Sequence, residues 1–128
     1  MSKPKVLIVD DNAEIRNVLR TTLKNHVDSD VFEAKDGQEA MNLIRLKKPN
    51  IVILDIMMPG EIDGLNVCDF IKYSAEFRSI FVVLLTAKDT KEDVFRGMEA
   101  RANMYLTKPF SPDGLAEIVL NYNKHASS

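Results

Sequence analysis

Short runs of Val, Ile and Leu alternate along this 128-residue chain with stretches of helical period, and this alternation restricts the fold more than any other feature. The runs fall at Lys5 to Val9, Val31 to Ala34, Ile51 to Leu54, Ile80 to Leu85 and Met104 to Leu106. They are too continuously apolar for a sheet with one wet face, so they predict a parallel sheet covered on both sides by helices. The helical segments support this. Ile15, Val18, Leu19, Thr22 and Leu23 recur at i, i+3, i+4, i+7 and i+8, an inward stripe on the first helix. Asp36 with Glu39 and Thr90 with Asp93 have the spacing of a cap and its third residue. Asp63-Gly64 opens a third segment that aligns Leu65, Cys68 and Ile71 or Lys72. Ser111-Pro112 opens the last, which turns Leu115, Ile118, Val119 and Tyr122 inward. The expected architecture is α/β, one (βα)5 unit with a doubly wound five-stranded parallel sheet over residues 1–128.

Composition narrows the function. A net charge of -2 and a single adjacent basic pair, Lys47-Lys48, argue against direct nucleic-acid binding. The longest apolar run, Ile80 to Leu85, is far short of the roughly 20 residues that cross a bilayer. The run at Val6 to Val9 is too brief for a signal-peptide core. A lone cysteine, Cys68, suits a reducing compartment and reads as a core residue. A cytoplasmic domain with no membrane contact is expected.

In a doubly wound sheet, ligands gather at the carboxyl ends of the strands. Asp10 and Asp11 follow the first run, Asp55 the third, Thr86 the fourth and Lys108 the fifth, so all five share one edge. Carboxylates about 4 Å apart repel by about 4 kcal/mol per pair at an effective dielectric near 20, and a divalent cation relieves this best. Oxygen ligands with no His or Cys favour Mg²⁺, with Mn²⁺ an alternative, and such an ion commonly accompanies phosphate. Lys108, Thr86 and the ion would contact a phosphoryl group in transfer, and Asp55 would be the nucleophile, becoming an aspartyl phosphate. Each residue also has a plain reading. Asp10-Asp11 is a common helix-start cluster, with Asp11 and Glu14 at capping-box spacing, Thr86 a strand-end hydroxyl and Lys108 a solvated lysine. Their convergence on one edge favours a shared site. His26 and His125 lie near helix C-terminal ends and are assigned no chemistry.

Five motifs in order, Val9-Asp10-Asp11, Ala34-Lys35-Asp36-Gly37, Leu54-Asp55 with Met58-Pro59, Leu85-Thr86-Ala87 and Tyr105-Leu106-Thr107-Lys108-Pro109-Phe110, carry a resemblance over essentially the whole chain. The chain resembles the response-regulator receiver domain of two-component, phosphorelay signalling. The resemblance implies a flavodoxin-like strand order 2-1-3-4-5. It implies that Asp55 is the phosphorylation site, charged by a sensor histidine kinase, a phosphotransfer protein or a small phosphodonor. Asp11 and Asp55 would hold Mg²⁺ with the Met57 carbonyl, and Asp10 would act mainly through water. Thr86 and Tyr105 would switch together, with Lys108 on a phosphoryl oxygen and Lys108-Pro109 in the cis form. Met57 and Lys88 would tune hydrolysis. The output surface would be the fourth helical segment, fifth strand and last helix, with Arg96, Met98, Tyr105 and Leu120 as contacts for a downstream effector or a phosphorylation-dependent dimer. The resemblance implies a phosphoprotein whose only chemistry is its own phosphorylation and autodephosphorylation, not an enzyme acting on other substrates.

Two features depart from the pattern. The connection Met58 to Gly64 carries one extra residue, and Arg101 stands where glycine is usual, which implies either a strained positive φ or a different helix end. Two other classes compete with this reading. An aspartate-nucleophile phosphohydrolase would place its nucleophile after the first strand with a second Asp two residues on, but the sequence there is Asp10-Asp11-Asn12. A receiver-like binding module that takes no phosphate usually lacks part of the acidic set or the lysine, and this chain has both.

Overall fold

The computed structural model describes residues 3–58, 60–86, 101–107 and 111–126, with side chains through 122. Strand β1 (Lys5–Val9) leads to α1 (Ala13–His26), β2 (Asp30–Ala34) to α2 (Gly37–Lys47), and β3 (Ile51–Asp55) to α3 (Gly64–Lys72). Then come β4 (Phe81–Thr86), β5 (Met104–Thr107) and α4 (Pro112–Ala126). The helical segment expected from Thr90 lies outside the described residues. Every strand pairing is parallel and the sheet order is β2-β1-β3-β4-β5, as the resemblance implied.

Alternation along the strands feeds two cores. Leu7, Val9, Val52, Leu54, Val82 and Leu84 face Ala40 and Ile44 of α2 and Leu65, Cys68 and Ile71 of α3. Val6, Ile8, Ile51, Ile53, Val83 and Leu85 face Leu19 and Leu23 of α1 and Leu115 and Val119 of α4. Both faces are dry, which explains the unbroken apolar runs, and each fully buried aliphatic side chain contributes about 1.5–3 kcal/mol. Cys68 is buried among them, as a core residue should be.

The helix starts are set by side chains. Asp36 accepts from the Glu39 amide at 2.8 Å, and Asp63 and Asn66 form a reciprocal capping box with both bonds at 2.9 Å. Ser111 Oγ accepts from the Gly114 amide, and Pro112 occupies the first turn of α4. Asn12 caps α1, its Oδ1 accepting from the amides of Glu14 and Ile15, so the capping-box spacing of Asp11 and Glu14 is not used. One expectation needs correction. Val18 does not belong to the inward stripe, for it is 49% exposed. The buried arc centres on Leu19 and Leu23, where α1 meets the sheet and α4, and Val18 is turned about 100° away from it.

Arg101 takes the strained solution, with φ at +64°. Its guanidinium lies 5.4 Å from the centre of the Tyr73 ring. Nearby, Lys72 Nζ donates to the carbonyls of Arg78 and Ile80 and to Asn103 Oδ1, tying the end of α3 to the starts of β4 and β5.

Candidate functional site

Strand register puts the site together. Val9 pairs with Leu54, and Leu54 with Leu84, so the carboxyl ends of β1, β3 and β4 lie side by side. Asp55 and Thr86 are the last residues of their strands, one residue further into the sheet than the runs suggested, and both are buried at 3% and 2% exposure. Asp10 is equally buried, whereas Asp11 is exposed. Asp10, Asp11 and Asp55 each present a carboxylate oxygen, and these oxygens all lie within 4.8 Å of one another. Two buried carboxylates and one exposed one thus meet at the sheet edge.

Backbone bonds hold the two buried ones. The Met57 amide donates to Asp55 Oδ1 at 3.1 Å, and the Asn12 amide to Asp10 Oδ1 at 2.9 Å, each side chain bonding its own backbone two residues on. The Asp10 amide donates to the Ala34 carbonyl at 3.1 Å. Arg16 Nη1 donates to the Asp10 carbonyl at 2.6 Å. The donor set fits a hard divalent cation: oxygen alone, three carboxylates, one of them open to solvent.

The remaining predicted residues divide by position. The Met57 side chain is 64% exposed beside the acidic group. Tyr105, on β5, is half-buried and packs toward the α2 and α3 side of the sheet, two strands from Asp55. Leu120 is exposed on α4. His26 hydrogen-bonds through Nδ1 to the Thr22 carbonyl and approaches Asp113 at 3.7 Å, away from the acidic group. Lys108, with its peptide bond to Pro109, and Lys88, Arg96 and Met98 lie outside the described residues. Sequence reasoning did not single out Arg16 or Asn12.

The loop between β3 and α3 is fitted to the site. The Gly64 amide donates to the Ile56 carbonyl at 3.1 Å, and a Cβ on Gly64 would collide with the Asp55 carbonyl and come within 2.7 Å of Ile56 Cα. Ile62, in the stretch containing the extra residue, packs where a side chain on Gly37 would stand.

The family follows from this fold and edge. The profile of the response regulator receiver domain matches residues 6–120, and the chain belongs to that family. It is 39% identical over 115 residues to a protein named probable transcriptional regulator ycf27 from Porphyridium aerugineum, and 44% identical over 114 residues to one of that name from Guillardia theta. These alignments cover 90% and 89% of this chain but 46% and 43% of the relatives, so the chain spans less than half the length of the curated relatives it matches. Among solved structures, the receiver domain of Francisella response regulator 1452 superposes with a TM-score of 0.85 at 31% identity, covering 97% of this chain and 99% of that one. The phosphorylated cyanobacterial phytochrome response regulator RcpA gives 0.81 at 27% identity, with 96% and 93% coverage. The Mn²⁺-bound form of response regulator Rcp1 gives 0.78 at 28% identity, with 92% and 90% coverage.

Proposed function

We propose that this chain is a phospho-acceptor switch in which Asp55 takes a phosphoryl group from a sensor histidine kinase, a phosphotransfer protein or a small phosphodonor. The observation that carries this reading is the meeting of the Asp10, Asp11 and Asp55 carboxylates within 4.8 Å at the edge where β1 and β3 end. A carboxylate oxygen of Asp55 attacks phosphorus, the phosphorus–nitrogen bond of a phosphohistidine breaks, and the imidazole leaves with the bonding pair and takes up a proton. The product is an acyl phosphate on Asp55.

Asp11 and Asp55, with the Met57 carbonyl, would hold Mg²⁺ or Mn²⁺, and Asp10 would act through water. The ion would neutralise charge on the transferring group. Phosphorylated RcpA and Mn²⁺-bound Rcp1, similar in fold and family, support both parts of the reading. Lys108 would pair with a phosphoryl oxygen, Thr86 and Tyr105 would carry the change outward, and Met57 and Lys88 would set access for hydrolytic water. The readout surface is β5 and α4 with the segment between β4 and β5, serving an effector or a second copy of the chain. Such a protein has no separate substrate to turn over. Among the described residues no helix is long and apolar enough to cross a membrane, and the reading places the protein in the cytoplasm as one domain over residues 1–128.

Incubation with acetyl phosphate and Mg²⁺, followed by intact-mass measurement, tests this. One added phosphate, absent in Asp55→Asn and absent with chelator, is expected. Continuous release of inorganic phosphate without a stable adduct would instead favour a hydrolase, and no adduct at all would favour a binding module.

A further inference from the structure

Strand β1 ends at Val9, but the chain stays buried for one more residue. The Asp10 amide is still held by β2 through Ala34, and its carbonyl is held by the Arg16 guanidinium at 2.6 Å. The same guanidinium donates through Nε to Glu33 Oε1 at 3.2 Å, and Arg20 Nη1 takes Glu33 Oε2 at 2.7 Å. Arg16 is the inner member of this group, its side chain only 17% exposed against 44% for Arg20. A planar fork fixed at two points has little freedom, so Arg16 fixes the plane of the peptide that joins Asp10 to Asp11. That peptide sets the direction in which the Asp11 side chain leaves the backbone.

We propose that Arg16 is a positioning residue for the cation-binding carboxylates, acting through the Asp10 carbonyl and braced by Glu33; the inference rests on the acidic site proposed above. Arg16 bonds the Asp10 carbonyl and Glu33 rather than a carboxylate oxygen of the acidic group, so it would not itself be a ligand of the cation. It contributes orientation, as an outer partner of a metal ligand does. Its positive charge, taken alone, would act the other way by competing with a bound cation. The two effects therefore predict opposite changes when the residue is replaced.

The experiment is Mg²⁺ titration of the full chain by calorimetry, with phosphate uptake and thermal unfolding measured on the same samples. Arg16→Met is expected to weaken Mg²⁺ binding about tenfold, the usual lower effect of removing such a partner. Arg16→Lys, which keeps one donor for the Asp10 carbonyl, should recover part of the loss. Arg20→Met, which removes a Glu33 contact but none to Asp10, should leave the affinity nearly unchanged. Unaltered Mg²⁺ affinity in Arg16→Met, with or without a lower melting temperature, would overturn the inference, as would tighter binding. If Arg16→Met does not fold, Arg16→Lys decides alone: affinity equal to wild type overturns the proposal and a partial loss supports it. Wild-type protein that binds no Mg²⁺ would remove the acidic-site reading and this inference with it, whereas wild-type binding indifferent to Arg16 removes only the inference.

Discussion

The carbonyl oxygen of Asp55 occupies the space that a side chain on Gly64 would need. The start of α3 is thereby seated directly on the end of β3, closer than any residue with a Cβ permits. Gly64→Ala must push α3 away or shift the Asp55 peptide, at a cost of about 1–3 kcal/mol for overpacking. Urea unfolding should record that loss, and phosphate uptake at Asp55 should slow more than in a surface variant of equal stability.

The acidic group predicts a stability that depends on divalent cation. At a Mg²⁺ concentration about a hundred times its dissociation constant, linkage stabilises the fold by about 2.7 kcal/mol. Asp11→Asn should lose most of this increment while unfolding no more easily than wild type in chelator. Its substitution removes one repelling charge from Asp10 and Asp55, and the start of α1 is capped by Asn12 instead. Melting temperatures with Mg²⁺ and with chelator, for both proteins, check it.

Arg101 combines a positive φ of 64° with a stack on Tyr73. Replacement by alanine keeps the backbone strain and loses the stack, whereas glycine loses the stack and relieves the strain. Arg101→Gly should therefore be more stable than Arg101→Ala by about 1 kcal/mol. Equal stabilities would mean that the local backbone relaxes on substitution.

Burial pushes the Cys68 thiol up from 9.0 to about 12, with Lys72 opposing the shift and Asp69 adding to it. Between those pH values the unfolded chain has released a proton that the folded chain retains, so stability falls as pH rises, by up to about 1.4 kcal/mol per pH unit. Below pH 9.0 this contribution is fully present. Lys72, whose own value is lowered by burial, works in the opposite sense below its ordinary 10.5. Comparing urea midpoints of wild type and Cys68→Ala from pH 8 to 10 isolates the cysteine, and the wild-type curve should fall more steeply above pH 9. The folded protein should also react slowly with thiol reagents at neutral pH.

The sheet was legible because each buried strand writes itself as a continuous apolar run, and the acidic group because its members terminate such runs. Caps at Asp36 and Asp63 were legible because the capping interaction is local. The cap at Asn12 was not legible, since Asp10, Asp11 and Asn12 can all cap a helix and only the register of the first turn chooses among them. Val18 was misread since the width of a buried stripe depends on where α4 comes to rest. Arg16 and Lys72 left no trace because the partners of Arg16 include the Asp10 carbonyl and those of Lys72 the Ile80 carbonyl, and backbone groups carry no sequence signature.

Ile62 lodged against Gly37 gives the lengthened connection after Asp55 a mooring on a neighbouring helix. The inserted stretch is thus anchored at Ile62, while Met57, Gly60 and Glu61 remain exposed along the connection. The shape of the edge around Asp55 is thereby tied to position 37, 18 residues earlier in the chain and about 60 Å away along it if fully extended.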